Sequence, residues 1–179
     1  RFEAEHLLIL TDISIPLPDQ TRLNATVYLP NAASMEKRPA VLVYNLYAKG
    51  WNIDNKAIEA AMQGYAGVVV YPRGKGGSGG DIQPFLTEAS DGYHIIDWIA
   101  RQDWSNQKVA MLGGSYLGFA QWASTKALHP ALKTIVPSTA VVPGYNDNLT
   151  ENGILKTDAL SWFHLVSNNA TMDFATYYD

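Results

Sequence analysis

The chain has 179 residues, 47% apolar and only 17% charged, with a net charge of -4 and no cysteine. That length allows one domain with a sizeable core, and the missing cysteines exclude disulfides, thiolate metal sites and a cysteine nucleophile together. An acidic balance without a lysine or arginine run argues against nucleic acid and anionic membranes as partners, and no apolar stretch reaches the roughly 18 residues of a membrane-spanning helix.

In chain order, "LLILTDISIPL" and "TRLNATVYLP" predict a hairpin across "PDQ". "AVLVYNLY" predicts a buried strand, and "NKAIEAAMQG" a helix ending with Gly64 at its C′ position. "YAGVVVYPR" predicts the next buried strand. The glycine-rich "GKGGSGGDIQPF" after it is expected to be a tight, mobile surface connection, with Arg73 anchoring it or forming an ion pair. A helix in "TEASDGYHIIDWIARQDW", a strand in "KVAML", a helix in "YLGFAQWASTKALH" and a strand in "LKTIVPSTAVV" complete the alternation. Strand and helix in repetition imply an α/β, mostly parallel sheet. From about Tyr145 the strand rhythm stops and the sequence reads as helical and aromatic, which divides the chain into 1–144 and 145–179. A chain that opens on Arg1 is expected to be processed, trimmed or partial.

Two segments compete to be the sharp strand-to-helix turn that exposes a serine nucleophile. Gly76-Gly77-Ser78-Gly79-Gly80 matches G-x-S-x-G literally, whereas Gly113-Gly114-Ser115-Tyr116-Leu117-Gly118 has Leu117 where the last glycine belongs. Context favours Ser115. A strand precedes it and a helix begins at once, aiming N–H groups at a developing oxyanion. After Ser78, further glycines and Pro84 argue against a helix start. On spacing alone, an ordinary serine capping the following helix is an equal reading of Ser115. Gly74 to Gly79 also satisfies G-x-G-x-x-G, but no helix opens there, so dinucleotide binding is the minor reading and no cofactor is expected.

The run from Asp91 to Trp122, preceded by "NLYAKG" and "RGKGGSGG" and followed by "HPALKTIVP", resembles the Xaa-Pro dipeptidyl-peptidase and cocaine-esterase-like group of serine hydrolases. Three blocks stand in that group's order: Arg73 to Gly80, Asp91 to Trp104, and Gly113 to Gly118. The likeness covers about Ile13 to Pro137. It implies an α/β-hydrolase fold with a nucleophile elbow, truncated here and followed by the start of a helical cap. It further implies Ser115 as nucleophile, the Tyr116 backbone N–H as one oxyanion donor, and the Tyr47 hydroxyl, from Asn45-Leu46-Tyr47-Ala48-Lys49, as another. The implied substrate is a small-molecule ester or a peptide N-terminus, cleaved through an acyl-enzyme; a catalytically silent binding module is the alternative. Leu46 and Ala48 replace the group's proline and aspartate, and Tyr71 stands where an aspartate is usual. In the cap segment Trp162 and Phe163 are candidates for lining a substrate pocket, with plain core packing as the other reading.

A serine hydroxyl needs a base, and in this fold the chain order is serine, acid, histidine. His129 is read as ending the elbow helix, where a rise of ~1.5 Å per residue carries it on the order of 20 Å away, and as interacting with the helix dipole. His164 follows Asp147, Glu151 and Asp158, but only one strand-like run follows the elbow helix. The catalytic acid and base are therefore expected beyond residue 179, and the remainder of the chain is expected to be needed to complete the fold. His6 and His94 read as an edge residue and a helix-face residue. Peptidase and esterase are not distinguished, and the compartment stays open.

Overall fold

A computed structural model describes residues 7–30, 36–47, 52–141 and 150–168. The chain divides into two compact units, Arg1–Ala140 and Val141–Asp179. In the first, six strands form one sheet: β1 (Leu7–Pro16), β2 (Arg22–Pro30), β3 (Arg38–Tyr44), β4 (Ala66–Val70), β5 (Ser105–Gly114) and β6 (Leu132–Ser138). Their order is β1-β2-β4-β3-β5-β6. β1 and β2 form the antiparallel hairpin, β2 meets β4 antiparallel, and β4, β3, β5 and β6 are mutually parallel.

Helix α1 (Asn55–Met62) follows β3, α2 (Glu88–Ala100) follows β4, and α3 (Tyr116–Ser124) follows β5. Leu42, Val68, Ile95, Ile99 and Ala120 share one core cluster, while Val43, Val69, Ala57 and Ala61 share another. Because helices cover both faces, β3 and β4 are continuous apolar runs instead of alternating ones. Gly64 has φ +91°, the left-handed conformation expected just past the end of α1.

Helices α2 and α3 approach closely at Gly92, where an added Cβ would sit 2.1 Å from Ser124 Oγ and 3.0 Å from its Cβ. Ser124 is buried, and its hydroxyl donates to the Ala120 carbonyl. Gly92→Ala is therefore expected to force the helices apart at a cost of about 1–3 kcal/mol, read as a lower urea midpoint.

The second unit differs from its sequence reading. It contains a short hairpin, β7 (Thr150–Glu151) and β8 (Ile154–Leu155), before helix α4 (Thr157–Asn168). The turn residues Asn152 and Gly153 have φ +51° and +79°. That pair of positive φ values is what a two-residue type I′ turn requires, and Asn-Gly is the dipeptide that adopts it most readily. Residues 169–179 of the predicted helical stretch lie outside the described residues. No helix among the described residues is long and apolar enough to cross a membrane.

Candidate active site

β5 lies between β3 and β6 and ends at Gly114; α3 begins at Tyr116, leaving Ser115 alone at the turn with φ +55° and ψ −123°. A non-glycine residue held there stores on the order of 1–3 kcal/mol and persists only when its surroundings over-determine it. Here they do. The Ser115 N–H donates to the Ser138 carbonyl of β6 at 2.9 Å, and the Ser115 carbonyl accepts from Gly118 and Phe119. Buried Gln121 joins all three elements: its Nε2 donates to the Gly113 and Leu117 carbonyls, both at 3.0 Å, and its Oε1 accepts the Val136 N–H at 2.8 Å. Gly113, at φ +148°, has no room for a side chain, since a Cβ would lie 2.6 Å from that of Leu117. The serine is exposed and makes no side-chain cap to α3, so the helix-capping reading does not hold. Its position at the start of α3 places it beside the positive end of the helix dipole.

Ser78, the literal motif match, has a different task. Its hydroxyl accepts the Asn24 N–H at 2.8 Å and donates to the Tyr71 carbonyl at 2.7 Å, and Asn24 Nδ2 donates to the Gly76 carbonyl at 2.6 Å. The glycine loop is thus a surface connection, as its composition predicts, with Gly77, Gly79 and Gly80 exposed, but its underside is packed onto β2 with Lys75 and Ser78 buried. Small residues serve close backbone packing here. Arg73 both anchors the loop and forms ion pairs: Nε and Nη2 meet Asp91 at 2.7 and 2.8 Å, and Nη1 meets Asp19 at 2.5 Å. The arginine holds the Asp19 carboxyl down at about 2.

Tyr47 leaves the C-terminal end of β3, the strand that pairs in parallel with β5, so it departs from the same sheet edge as Ser115. Its backbone N–H donates to Asn45 Oδ1 at 2.9 Å, and Asn45 Nδ2 donates to Asp54 Oδ1 at 2.9 Å. Tyr71 completes the chain by donating to Asp54 Oδ2 at 2.8 Å. Burial and this carboxylate push the Tyr71 phenol well up. The tyrosine that departs from the family pattern thus helps to shape the turn carrying Tyr47. The Tyr47 side chain is half-buried and packs against the cluster that contains Val43, Ala57 and Leu117.

Tyr116 contributes the first backbone N–H of α3, which no carbonyl within the helix can satisfy. Its side chain is fully buried; the phenol donates to Glu88 Oε1 and accepts the Phe85 N–H at 3.4 Å. The Phe85 ring tilts against it at 5.1 Å.

The family model of X-Pro dipeptidyl-peptidase (S15 family) matches residues 19–174. The chain belongs to this family. It is similar to cocaine esterase of Rhodococcus sp. (strain MB1 Bresler), 31% identical over 165 residues that make up 88% of this chain and 28% of that protein. Among solved structures it resembles a CocE/NonD family hydrolase from Staphylococcus aureus, with a TM-score of 0.79 at 24% identity over 89% of this chain and 33% of that one. An aminopeptidase from the marine sediment archaeon Thaumarchaeota archaeon has a TM-score of 0.70 at 26% identity, over 89% of this chain and 30% of that one. The chain spans about a third or less of the length of each of these relatives. The sheet order and the elbow are those of an α/β-hydrolase fold.

Of the histidines among the described residues of this S15-family chain, two lie in the first unit and one in the second. His129 does not end the elbow helix, which stops at Ser124; it is buried in the connection to β6. Its Nδ1 accepts the Ala131 N–H at 3.1 Å, its ring meets that of Tyr93 at 4.7 Å, and its Nε2 is 3.5 Å from Asp97. Ala131 bonds Val109, six residues before Ser115 along β5, which places His129 on the order of 20 Å from the serine. It is a packing residue. His94 is half-buried on α2 with its ring edge-on to Tyr93 at 5.7 Å. His6 lies outside the described residues. In the second unit, exposed His164 and half-buried Trp162 lie on α4, the Trp162 ring 5.2 Å from that of Phe163.

Three polar groups that bond near the two turns were not foreseen in the sequence: Gln121, Asp54 and Glu88. Glu88 carried the clearest signal, because Glu88, Asp91, Ile95 and Ile99 fall on one buried stripe of α2 and two of them are acids. Burial pushes the Glu88 carboxyl above its ordinary value. Below the unfolded value of about 4.3 the group is neutral in both states. As pH rises beyond that, the unfolded chain releases a proton that the folded chain retains, so stability falls until the folded value is passed. Glu88→Gln removes this loss. Its melting temperature relative to wild type is expected to rise as the pH is raised above about 4.

Proposed function

We propose that the whole protein is a serine hydrolase that cleaves an ester or amide bond through an acyl-enzyme on Ser115. The observation that carries this reading is the exposed Ser115, held in a strained backbone conformation between β5 and α3. Its hydroxyl oxygen attacks the substrate carbonyl, and its proton passes to a base and then to the leaving alcohol or amine. Water then attacks the acyl carbon and releases the acid, restoring the serine. The Tyr116 N–H and the Tyr47 hydroxyl stabilise the oxyanion in each tetrahedral state. The base is a histidine oriented by an acid, the arrangement this fold uses. The substrate is a small-molecule ester or the N-terminus of a peptide, in keeping with the esterase and aminopeptidase names of the relatives.

The test is labelling of the whole protein with a fluorophosphonate. Wild type should label, Ser115→Ala should not, and folded Ser78→Ala should label like wild type. No labelling of wild type would favour a silent binding module.

A further inference from the structure

We propose that Glu88 is a positioning residue of the acyl-transfer site, holding the Tyr116 phenol so that the Tyr116 backbone N–H keeps its aim at the oxyanion. The inference rests on the proposed hydrolase reading and adds to it a residue on a different helix from the one that follows the nucleophile. Tyr116 follows Ser115 directly, and its backbone N–H and phenol belong to one residue with only two side-chain torsions. The phenol is gripped from two directions, by the Glu88 carboxyl to which it donates and by the Phe85 N–H that it accepts. Phe85 and Phe119 also pack tilted against the ring at centroid distances of 5.1 and 5.8 Å, and holding the ring holds the Cα that carries the N–H.

A purely structural role accounts poorly for this choice of residues. Glu88 is 2% exposed and Tyr116 is 0% exposed, and a carboxyl in such a place costs free energy unless every oxygen is satisfied. It is not satisfied: Glu88 Oε2 and the Tyr44 hydroxyl are buried side-chain atoms with no hydrogen-bond partner among the described residues. Leucine at 88 and phenylalanine at 116 would fill similar volumes without that cost. The one directional contact Glu88 makes with a side chain is to the residue beside the nucleophile. Glu88 itself stands on the first turn of α2, whose neighbouring Asp91 is tied to Arg73, so the grip is anchored outside α3.

The experiment uses the whole protein and an activated 4-nitrophenyl ester. Glu88→Leu and Tyr116→Phe should each lower kcat by about ten- to a hundred-fold with KM changed less than about twofold, the scale of a slightly misplaced oxyanion donor. The double variant should be no worse than the poorer single one. Glu88→Gln keeps an acceptor oxygen at the same place and should restore kcat to within a few-fold of wild type. Circular dichroism melts accompany each variant, and Tyr116→Phe, the smaller change, decides the matter if Glu88→Leu does not fold. Ser115-dependent turnover left intact in Tyr116→Phe, a change confined to KM, or a Glu88→Gln as impaired as Glu88→Leu would each overturn the positioning role alone. Wild-type protein without Ser115-dependent labelling or turnover would overturn the hydrolase reading and this inference with it.

Discussion

Replacing Ser115 by alanine in the whole protein is expected to lower kcat for an activated ester by on the order of 10⁴-fold or more. On the proposed reading the variant loses the atom that forms the acyl-enzyme, while the N–H groups at the start of α3 stay where they are. Some residual rate from transition-state binding should therefore survive. Glycine at the same position separates chemistry from strain. At φ +55° and ψ −123° a serine is held where L residues are disfavoured, and glycine adopts such angles without steric cost, offset in part by its larger unfolded-state entropy. Ser115→Gly should thus be as inactive as Ser115→Ala yet more stable than wild type by about 1 kcal/mol. Ester turnover and urea unfolding of the three proteins side by side check both statements. A Ser115→Gly protein less stable than wild type would show that the turn is not strained.

Asp91→Ala is expected to be the most destabilising single change in the glycine-loop region, at about 3–5 kcal/mol. Asp91 is 1% exposed and takes two hydrogen bonds from the Arg73 guanidinium, which is itself 16% exposed. Removing the carboxylate leaves the arginine with its outer partners only, Asp19 and Thr21. The loss also adjoins Gly92, the next residue of α2, where that helix packs closely on Ser124 of α3. Asp19 meets the same arginine from a side chain that is 52% exposed, where water screens the pair. Asp19→Ala should cost far less. Urea melts of both variants would test the ranking, and an Asp19→Ala loss equal to that of Asp91→Ala would contradict it.

The contrast between Ser78 and Ser115 shows how local signals mislead and context corrects them. Both serines sit among glycines, and only Ser78 matches G-x-S-x-G. A strand before Ser115 and a helix after it favoured the elbow, and the backbone angles at Ser115 bear out that placement. For the glycine loop, composition predicts a surface connection but does not reveal that Ser78 bonds Asn24 across 54 residues. In the second unit the Asn152-Gly153 turn is legible from its dipeptide alone, beside the stronger aromatic helix pattern that follows.

The sequence by itself determined the order of strands and helices in the first unit, the two-sided burial of β3 and β4, and the serine at the pivot. These follow from periodicity and turn chemistry, which act between near neighbours and so leave a local trace. Only the tertiary structure decided what holds the pivot and the Tyr47 turn in place. Gln121 reaches Val136 across 15 residues, Tyr71 reaches Asp54 across 17, and Tyr116 reaches Glu88 across 28. A hydrogen bond is short and directional, so its partner depends on how β5, α3, α2 and β6 are stacked; the residue types alone show that these groups are polar, and their stripes show that they are buried. Which buried donor meets which buried acceptor is settled when the layers close.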